Sequence, residues 1–373
     1  MDTPEFFMRR ALLLAERGVF TTSPNPRVGC VIVKNGKIIA EGFHRRAGEK
    51  HAEAVALAAL KESGESAAGA EIFVTLEPCA HFGKTPPCAA ALVAAKVKKV
   101  FVATLDPNPL VAGRGIEILK NAGIATQIGI LEDDARALNA GFLKRFTERR
   151  ALVRLKTAAS LDGKTALLNG KSQWITGESA RWDAMRLRAC ACAILTGIGT
   201  VLADNPQMNV RENFAKTLFG LETEIRQPIV FIMDSAFRTP LNSKILQNEK
   251  VVIIGAAPEN SETLKRQNAL KNHAQIVEVE NTRDLKSVLE KITAEFALNE
   301  IHLEAGATLG GAFLKAGLVD EIAAYFAPII LGNTARSLFD FPALTDLSQK
   351  LEFEIQEIKP IPPDFCIVAT PKK

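Results

Sequence analysis

Apolar and polar positions along this chain follow two periods, one helical and one strand-like, and they alternate through its whole length. Over residues 5–18 the spacing is helical, with Phe6, Phe7, Leu13 and Leu14 set against Arg9, Arg10, Glu16 and Arg17, and Gly18 ends the run. Residues 29–34 and 37–42 read as strands joined at Asn35-Gly36, the strongest short-range hairpin signal. Buried strands follow at 72–76 and 99–104, with helices predicted over 52–63 and 88–95. A loop stiffened by Pro107 and Pro109 leads into a helix over 115–122. A strand near 125–128 and one helix from 132 to about 146 complete a three-layer α/β domain with a mixed sheet.

The charged run Lys144-Arg145-Phe146-Thr147-Glu148-Arg149-Arg150 precedes a strand at 152–156 and places a domain boundary there, giving domains 1–147 and 148–373. Strands are predicted beyond it at 193–197, 229–234, 251–255, 300–304 and 321–327. Helices are predicted at 178–188, 261–269, 285–297 and 310–316, and 351–358 with 365–370 form a closing antiparallel pair. No repeat of the first half is visible.

At 373 residues the chain exceeds one ordinary core, in keeping with two domains. Its 47% hydrophobic and 24% charged residues are those of a globular protein. No apolar run approaches membrane-spanning length and the N-terminus is acidic, so a cytoplasmic protein without a membrane partner is expected. The formal charge is +4 and its excess lies before residue 148, which suits a small anionic substrate and equally a solvated basic face. One Tyr and two Trp offer little for stacking nucleic-acid bases, so no nucleic-acid partner is expected. Cys30, Cys190, Cys192 and Cys366 lie in apolar surroundings and read as packing.

The chemistry gathers at His51-Ala52-Glu53, Pro78-Cys79 and Cys88. One imidazole and two thiolates make three ligands for Zn2+ and leave a fourth position for water. Zinc brings the pKa of such a water to about 7, and a carboxylate that does not bind the metal can move its proton; Glu53 is that carboxylate. His51 is expected at the mouth of its helix, with Glu53 in the first turn. A structural zinc knot is the plainer alternative, but it normally has four protein ligands. Eight residues separate the cysteines where the general deaminase pattern has Cys-x-x-Cys. In Pro24-Asn25-Pro26 the amide of Asn25 either caps a turn or reads a donor and an acceptor on a heterocycle. His44 reads as an ordinary polar residue.

The stretch Glu77-Pro78-Cys79-Ala80-His81-Phe82-Gly83-Lys84-Thr85-Pro86-Pro87-Cys88 resembles the deaminase of riboflavin biosynthesis, as do the Pro-Asn-Pro loop and Asp106–Gly115 region. The resemblance implies a cytidine-deaminase-like domain in which Asn25, His81, Lys84 and Asn108 contact substrate. In the second half, Leu155–Lys164, Ser172-Gln173-Trp174-Ile175-Thr176, residues 199–206 and Glu304-Ala305-Gly306 resemble the pyrimidine-nucleotide reductase of the same pathway, which has a dihydrofolate-reductase-like α/β fold. Ala158, Trp174, Thr176, Thr200, Asp204, Ser235 and the turn Gly306, Ala307, Thr308, Leu309, Gly310 and Gly311 are implied to face NADPH. Ser172, Arg188, Met208, Arg211 and Glu304 are implied to face substrate. The glycine-rich turn after strand 300–304 also reads by itself as a diphosphate cradle, although such turns are often tight packing. Arg188 and Arg211 have no partner in the local sequence and are expected to hold a phosphate. Met208 departs from the family's usual Leu at similar volume.

The expected function is therefore two reactions of riboflavin biosynthesis on one small pyrimidine ribonucleotide. The first is zinc-dependent hydrolysis of the 2-amino group of 2,5-diamino-6-ribosylamino-4(3H)-pyrimidinone 5′-phosphate. The second is reduction of the ribosyl chain to ribityl by NADPH. No general acid stands out for the second step, Asp204 being the nearest candidate. The rivals are a polynucleotide base deaminase with a C-terminal binding module, which would need a basic second half, and a nucleoside cytidine deaminase fused to an unrelated domain. A homo-oligomer is compatible with the sequence.

Overall fold

The computed structural model describes residues 3–80, 87–109, 111–211 and 225–372. It divides into two compact units, Met1–Arg150 and Ala151–Lys373, a few residues beyond the expected cut.

In the first unit the strands are β1 (Gly29–Lys34), β2 (Lys37–Phe43), β3 (Glu71–Leu76), β4 (Lys99–Thr104) and β5 (Ala125–Ile128), ordered β2-β1-β3-β4-β5. β1 runs antiparallel to β2 and β3, whereas β3, β4 and β5 are parallel. The two-residue period of each strand splits its side chains between two cores. Cys30, Ile32, Ile72, Val74, Val100 and Val102 meet Ala52, Ala56, Leu60, Ala89, Leu92 and Leu119 of the helices on one face. Val31, Val33, Phe73, Phe101 and Ala103 meet Phe7, Met8, Ala11, Leu12 and Leu14 of helix Pro4–Glu16 on the other. The expected apolar stripe of that helix needs correcting. Phe6 and Leu13 are each 51% exposed, and Met8, Ala11 and Leu12 take the inner face with Phe7 and Leu14.

The single helix expected from 132 to about 146 is two, Glu132–Leu138 and Ala140–Thr147. They break at Asn139, whose side chain is buried and bonds both backbone groups of Arg27, accepting from its N–H at 2.8 Å and donating to its carbonyl at 2.8 Å. An amide anchored to a distant segment competes with helix continuation.

The second unit holds β6 (Leu152–Ser160), β7 (Lys164–Ala166), β8 (Ala193–Gly197), β9 (Ile229–Met233), β10 (Val251–Ala256), β11 (Gln275–Val279), β12 (Glu300–Leu303), β13 (Glu321–Ala327), β14 (Arg336–Ser337), β15 (Phe353–Ile361) and β16 (Asp364–Pro371). Among the described residues its main sheet is ordered β11-β10-β9-β8-β12-β6-β13-β16-β15. The first seven of these are parallel and the last two close antiparallel, as expected of the C-terminal pair. Sequence periodicity misses β11 and the short helix Ile198–Asp204. Leu155, Leu195, Phe231, Ile301, Leu303, Phe313 and Ile292 centre the main core.

Candidate active sites

At the end of β3 the chain turns through Pro78 to Cys79, and Cys88 opens the helix Cys88–Ala94. His51 caps the helix Ala52–Glu62 in extended conformation, φ −69° and ψ 164°, with Glu53 buried in the first turn. Its Nδ1 lies 3.5 Å from both Cys79 Sγ and Cys88 Sγ, and the three donor atoms all fall within 4.8 Å of one another. Bonds of about 2.1 Å to nitrogen and 2.3 Å to sulfur around a tetrahedral zinc set nitrogen–sulfur edges at about 3.6 Å, so the donor set fits the ion.

The protonation states point the same way. Cys79 is driven down to about 4, first by its hydrogen bond with Cys88 and further by His51 and the Cys88 backbone N–H at 3.3 Å. Cys88 is pushed up by that same hydrogen bond and by burial. The two sulfurs thus compete for charge, which a divalent cation relieves by taking both as thiolates. Burial lifts the Glu53 carboxyl to about 7, helped by the charge on Cys79.

A cavity of about 280 Å³ opens over these groups, lined among others by Asn25, His44, His51, Glu53, Cys79 and Asn108. The structure therefore brings Asn25 and Asn108 to the metal ligands, whereas His81 and Lys84 lie outside the described residues. His44 does more than sequence reading allowed. Its Nδ1 lies 3.1 Å from the Lys50 carbonyl, to which it donates, leaving Nε2 to accept from the Asn25 amide at 3.0 Å. That fixes which end of the amide faces the cavity. Glu77 after β3 also lines it, as do Phe142, Arg145 and Phe146 of the helix Ala140–Thr147, which helical period alone could not separate from surface or core positions.

In the second unit several of the implied site residues follow the carboxyl ends of parallel strands, Thr200 and Asp204 after β8, Ser235 after β9, and Glu304, Gly306, Ala307 and Thr308 after β12, where open α/β sheets bind ligands. Glu304 follows β12 and receives a two-pronged bond from Arg188 of helix Glu178–Cys190, at 2.8 and 2.9 Å. Arg188 also donates to the Asn209 carbonyl at 3.1 Å and reaches Met208 Sδ at 3.7 Å, so Arg188, Met208 and Glu304 form one cluster. This corrects the premise that Arg188 lacks a partner: its guanidinium fork is paired with a carboxylate far away in sequence.

Two residues of the cluster were missed. Lys156 Nζ stands 3.5 Å from Glu304 Oε1, and the buried His302 Nε2 stands 3.3 Å from Oε2. The available signal for Lys156 was a cation in the middle of a central strand, which Arg154 two residues earlier shares. Burial would raise the Glu304 carboxyl, but the charges of Arg188 and Lys156 hold it well below the ordinary value.

Thr200 accepts from the Gly306 N–H at 3.3 Å, uniting two of the residues expected at NADPH, and Thr308 is exposed beside them. The glycine cradle needs correcting. The helix begins at Ala307, so Gly310 and Gly311 are inside it and buried. A Cβ on Gly311 would stand 2.3 Å from the Asp340 carbonyl oxygen, which makes this glycine a packing contact. Leu309 packs over Gly197, and of the turn Gly306, Ala307 and Thr308 remain at the helix mouth. Trp174 is 67% exposed under the Arg181 guanidinium, 4.4 Å from the ring centroid, while Thr176 is buried and its carbonyl accepts from Arg181. Ser172 and Ala158 are half-buried, the latter against the Ala180 and Tyr325 cluster; Ser235, Asp204 and Arg211 are exposed.

A three-layer unit that presents a zinc-type donor trio beneath a buried carboxylate defines a zinc-dependent pyrimidine deaminase, here continuous with a second unit of reductase type. Residues 1–104 match the cytidine and deoxycytidylate deaminase zinc-binding region, and residues 151–367 match the RibD C-terminal domain. The chain belongs to the RibD family of riboflavin-biosynthesis deaminase–reductases.

It is 45% identical to the riboflavin biosynthesis protein RibD of Escherichia coli over 371 residues, covering 97% of this chain and 98% of that one. The solved structure of Acinetobacter baumannii RibD superposes with a TM-score of 0.90 at 44% identity, covering 99% of each chain. That of the deaminase/reductase from Thermotoga maritima superposes with a TM-score of 0.86 at 32% identity, again covering 99% of each chain. The protein is accordingly a bifunctional enzyme of riboflavin biosynthesis with zinc and NADPH as cofactors, and neither rival reading is favoured. Among the described residues no helix is long and apolar enough to cross a membrane.

Proposed function

We propose that the first unit, with its boundary near the 144–150 joint, carries out the deamination alone and that the second carries out the reduction. The observation that carries this reading is the meeting of His51, Cys79 and Cys88 donor atoms beside Glu53. His51, Cys79 and Cys88 would hold zinc, which when bound supplies a water acidic enough to attack at neutral pH. Glu53 would take one proton of that water and pass it to the pyrimidine ring nitrogen next to C2, and would then carry the remaining proton, from the C2 hydroxyl so formed, to the amino group as it leaves as ammonia. Asn25, oriented by His44, and Asn108 hold the heterocycle, and His81 and Lys84 complete the substrate set.

In the second unit Thr200, Gly306, Ala307 and Thr308 hold the cofactor at the helix mouth, together with Ala158, Trp174, Thr176, Asp204, Ser235 and Leu309. NADPH supplies the hydride. Lys156, held beside Glu304, gives the exocyclic nitrogen of the open-chain imine its proton as the ribosyl carbon becomes a ribityl carbon. Ser172, Met208 and Arg211 flank the substrate, with Arg211 on its phosphate. We read the enzyme as acting in the cytoplasm, where thiolate ligands stay reduced, on a free nucleotide without nucleic acid or membrane. Self-association is compatible with this reading.

The test supplies the diaminopyrimidine ribosyl phosphate and NADPH to the full chain. Ammonia release and cofactor oxidation should proceed one to one, and zinc chelation should stop both. Adding the deaminated intermediate should then restore cofactor oxidation. Ammonia release that persists in the chelated protein would remove the zinc assignment.

A further inference from the structure

Glu77 sits at the end of β3, two residues before Cys79, with its side chain buried. Its own N–H donates to the Thr104 carbonyl at 3.0 Å, and its carboxylate turns toward the loop that leaves β4. Oε2 accepts from the N–H groups of Asp106 at 3.3 Å and Gly113 at 3.0 Å; Oε1 accepts from those of Gly115 at 2.9 Å and Ile116 at 3.3 Å. Four backbone donors converge on one carboxylate, two of them from the first turn of helix Arg114–Asn121.

The loop is held tightly enough to exclude a side chain. A Cβ on Gly115 would stand 2.0 Å from the Pro78 carbonyl oxygen and 3.2 Å from Glu77 Oε1. Between these anchor points the same loop supplies Asp106, Asn108 and Val111 to the cavity over the metal ligands. We propose that Glu77 is a positioning residue of the deaminase. Its carboxylate fixes the 106–116 loop against the strand that delivers Cys79, and so sets the distance between the Asn108 wall and the metal ligands. This rests on the reading of that cavity as the deaminase site.

Only a carboxylate meets all four donors. In Glu77→Gln the amide NH2 faces two backbone N–H groups, so two hydrogen bonds are lost and the donors repel, at unchanged side-chain volume. The full-chain variant should keep its zinc and its kcat for deamination while the KM for the diaminopyrimidine nucleotide rises about tenfold or more. Gly115→Ala displaces the same loop by an independent route and should raise KM in the same way. In the unsubstituted chain, amide hydrogen exchange at Gly113, Gly115 and Ile116 should be slow. An unchanged KM in Glu77→Gln, loss of zinc with KM preserved, or rapid exchange at those three amides would each overturn the proposal. Failure of the unsubstituted chain to deaminate would instead remove the reading of the cavity.

Discussion

Replacing Arg188 with alanine removes the guanidinium that grips Glu304 through contacts of 2.8 and 2.9 Å. Both side chains are largely withdrawn from water, 16% and 18% exposed, so the carboxylate left behind is poorly hydrated. Breaking a buried pair by removing one partner costs about 3–5 kcal/mol. The residual exposure, with Lys156 still at 3.5 Å, favours the low end, about 3 kcal/mol. For a unit of this size that corresponds to a fall in Tm of about 6–12 °C.

The loss should depend on pH in a definite direction. The folded Glu304 carboxyl lies well below its ordinary value, so its stabilisation is complete above about pH 4.5 and is lost as pH falls toward the depressed value. Without Arg188, burial raises that carboxyl, and the gap between variant and unsubstituted protein should be widest near neutrality and narrow in acid. Calorimetry of the full chain tests this, the second unit's transition being identified by its upward shift on adding NADPH. A Tm change under about 2 °C at pH 7, or a gap that widens on acidification, would refute the reasoning.

Three further outcomes are expected. Cys79→Ser should lose zinc on dialysis against a weak chelator, while reduction of the deaminated intermediate persists; retention of the metal would exclude Cys79 as a ligand. Asn139→Ala deletes both bonds to the Arg27 backbone and should destabilise the first unit by about 2 kcal/mol in denaturant unfolding, whereas a loss under about 0.5 kcal/mol would make the helix break incidental. Arg211→Ala should raise KM for the phosphorylated reductase substrate far more than for its dephosphorylated analogue, and equal effects on both would remove the phosphate assignment.

What the sequence made legible follows the range of the forces involved. The hairpin at Asn35-Gly36, the alternating strands and the helix start at His51 are set by neighbours in the chain, and the structure places them as read. The metal trio was readable because donor chemistry restricts residue type as well as spacing. Contacts between distant segments were not readable. The Arg188–Glu304 pair joins a helix to a strand end, and the Asn139 amide reaches back to Arg27, so neither leaves a local signature. Gly310 and Gly311 show the same limit from the other side. At Gly311 smallness is equally required by an anion cradle and by a helix packed on the Asp340 backbone, and only the fold distinguishes the two.

The central claim, two chemistries in two separate units, is tested most directly by Glu53→Gln in the full chain. Given the diamino substrate, this variant should retain zinc and release ammonia about 10²–10⁴-fold more slowly, because the amide cannot accept the proton. Given the deaminated intermediate, it should oxidise NADPH at the unsubstituted rate. Near-normal ammonia release, or a matching loss of NADPH oxidation on the deaminated intermediate, would contradict the account.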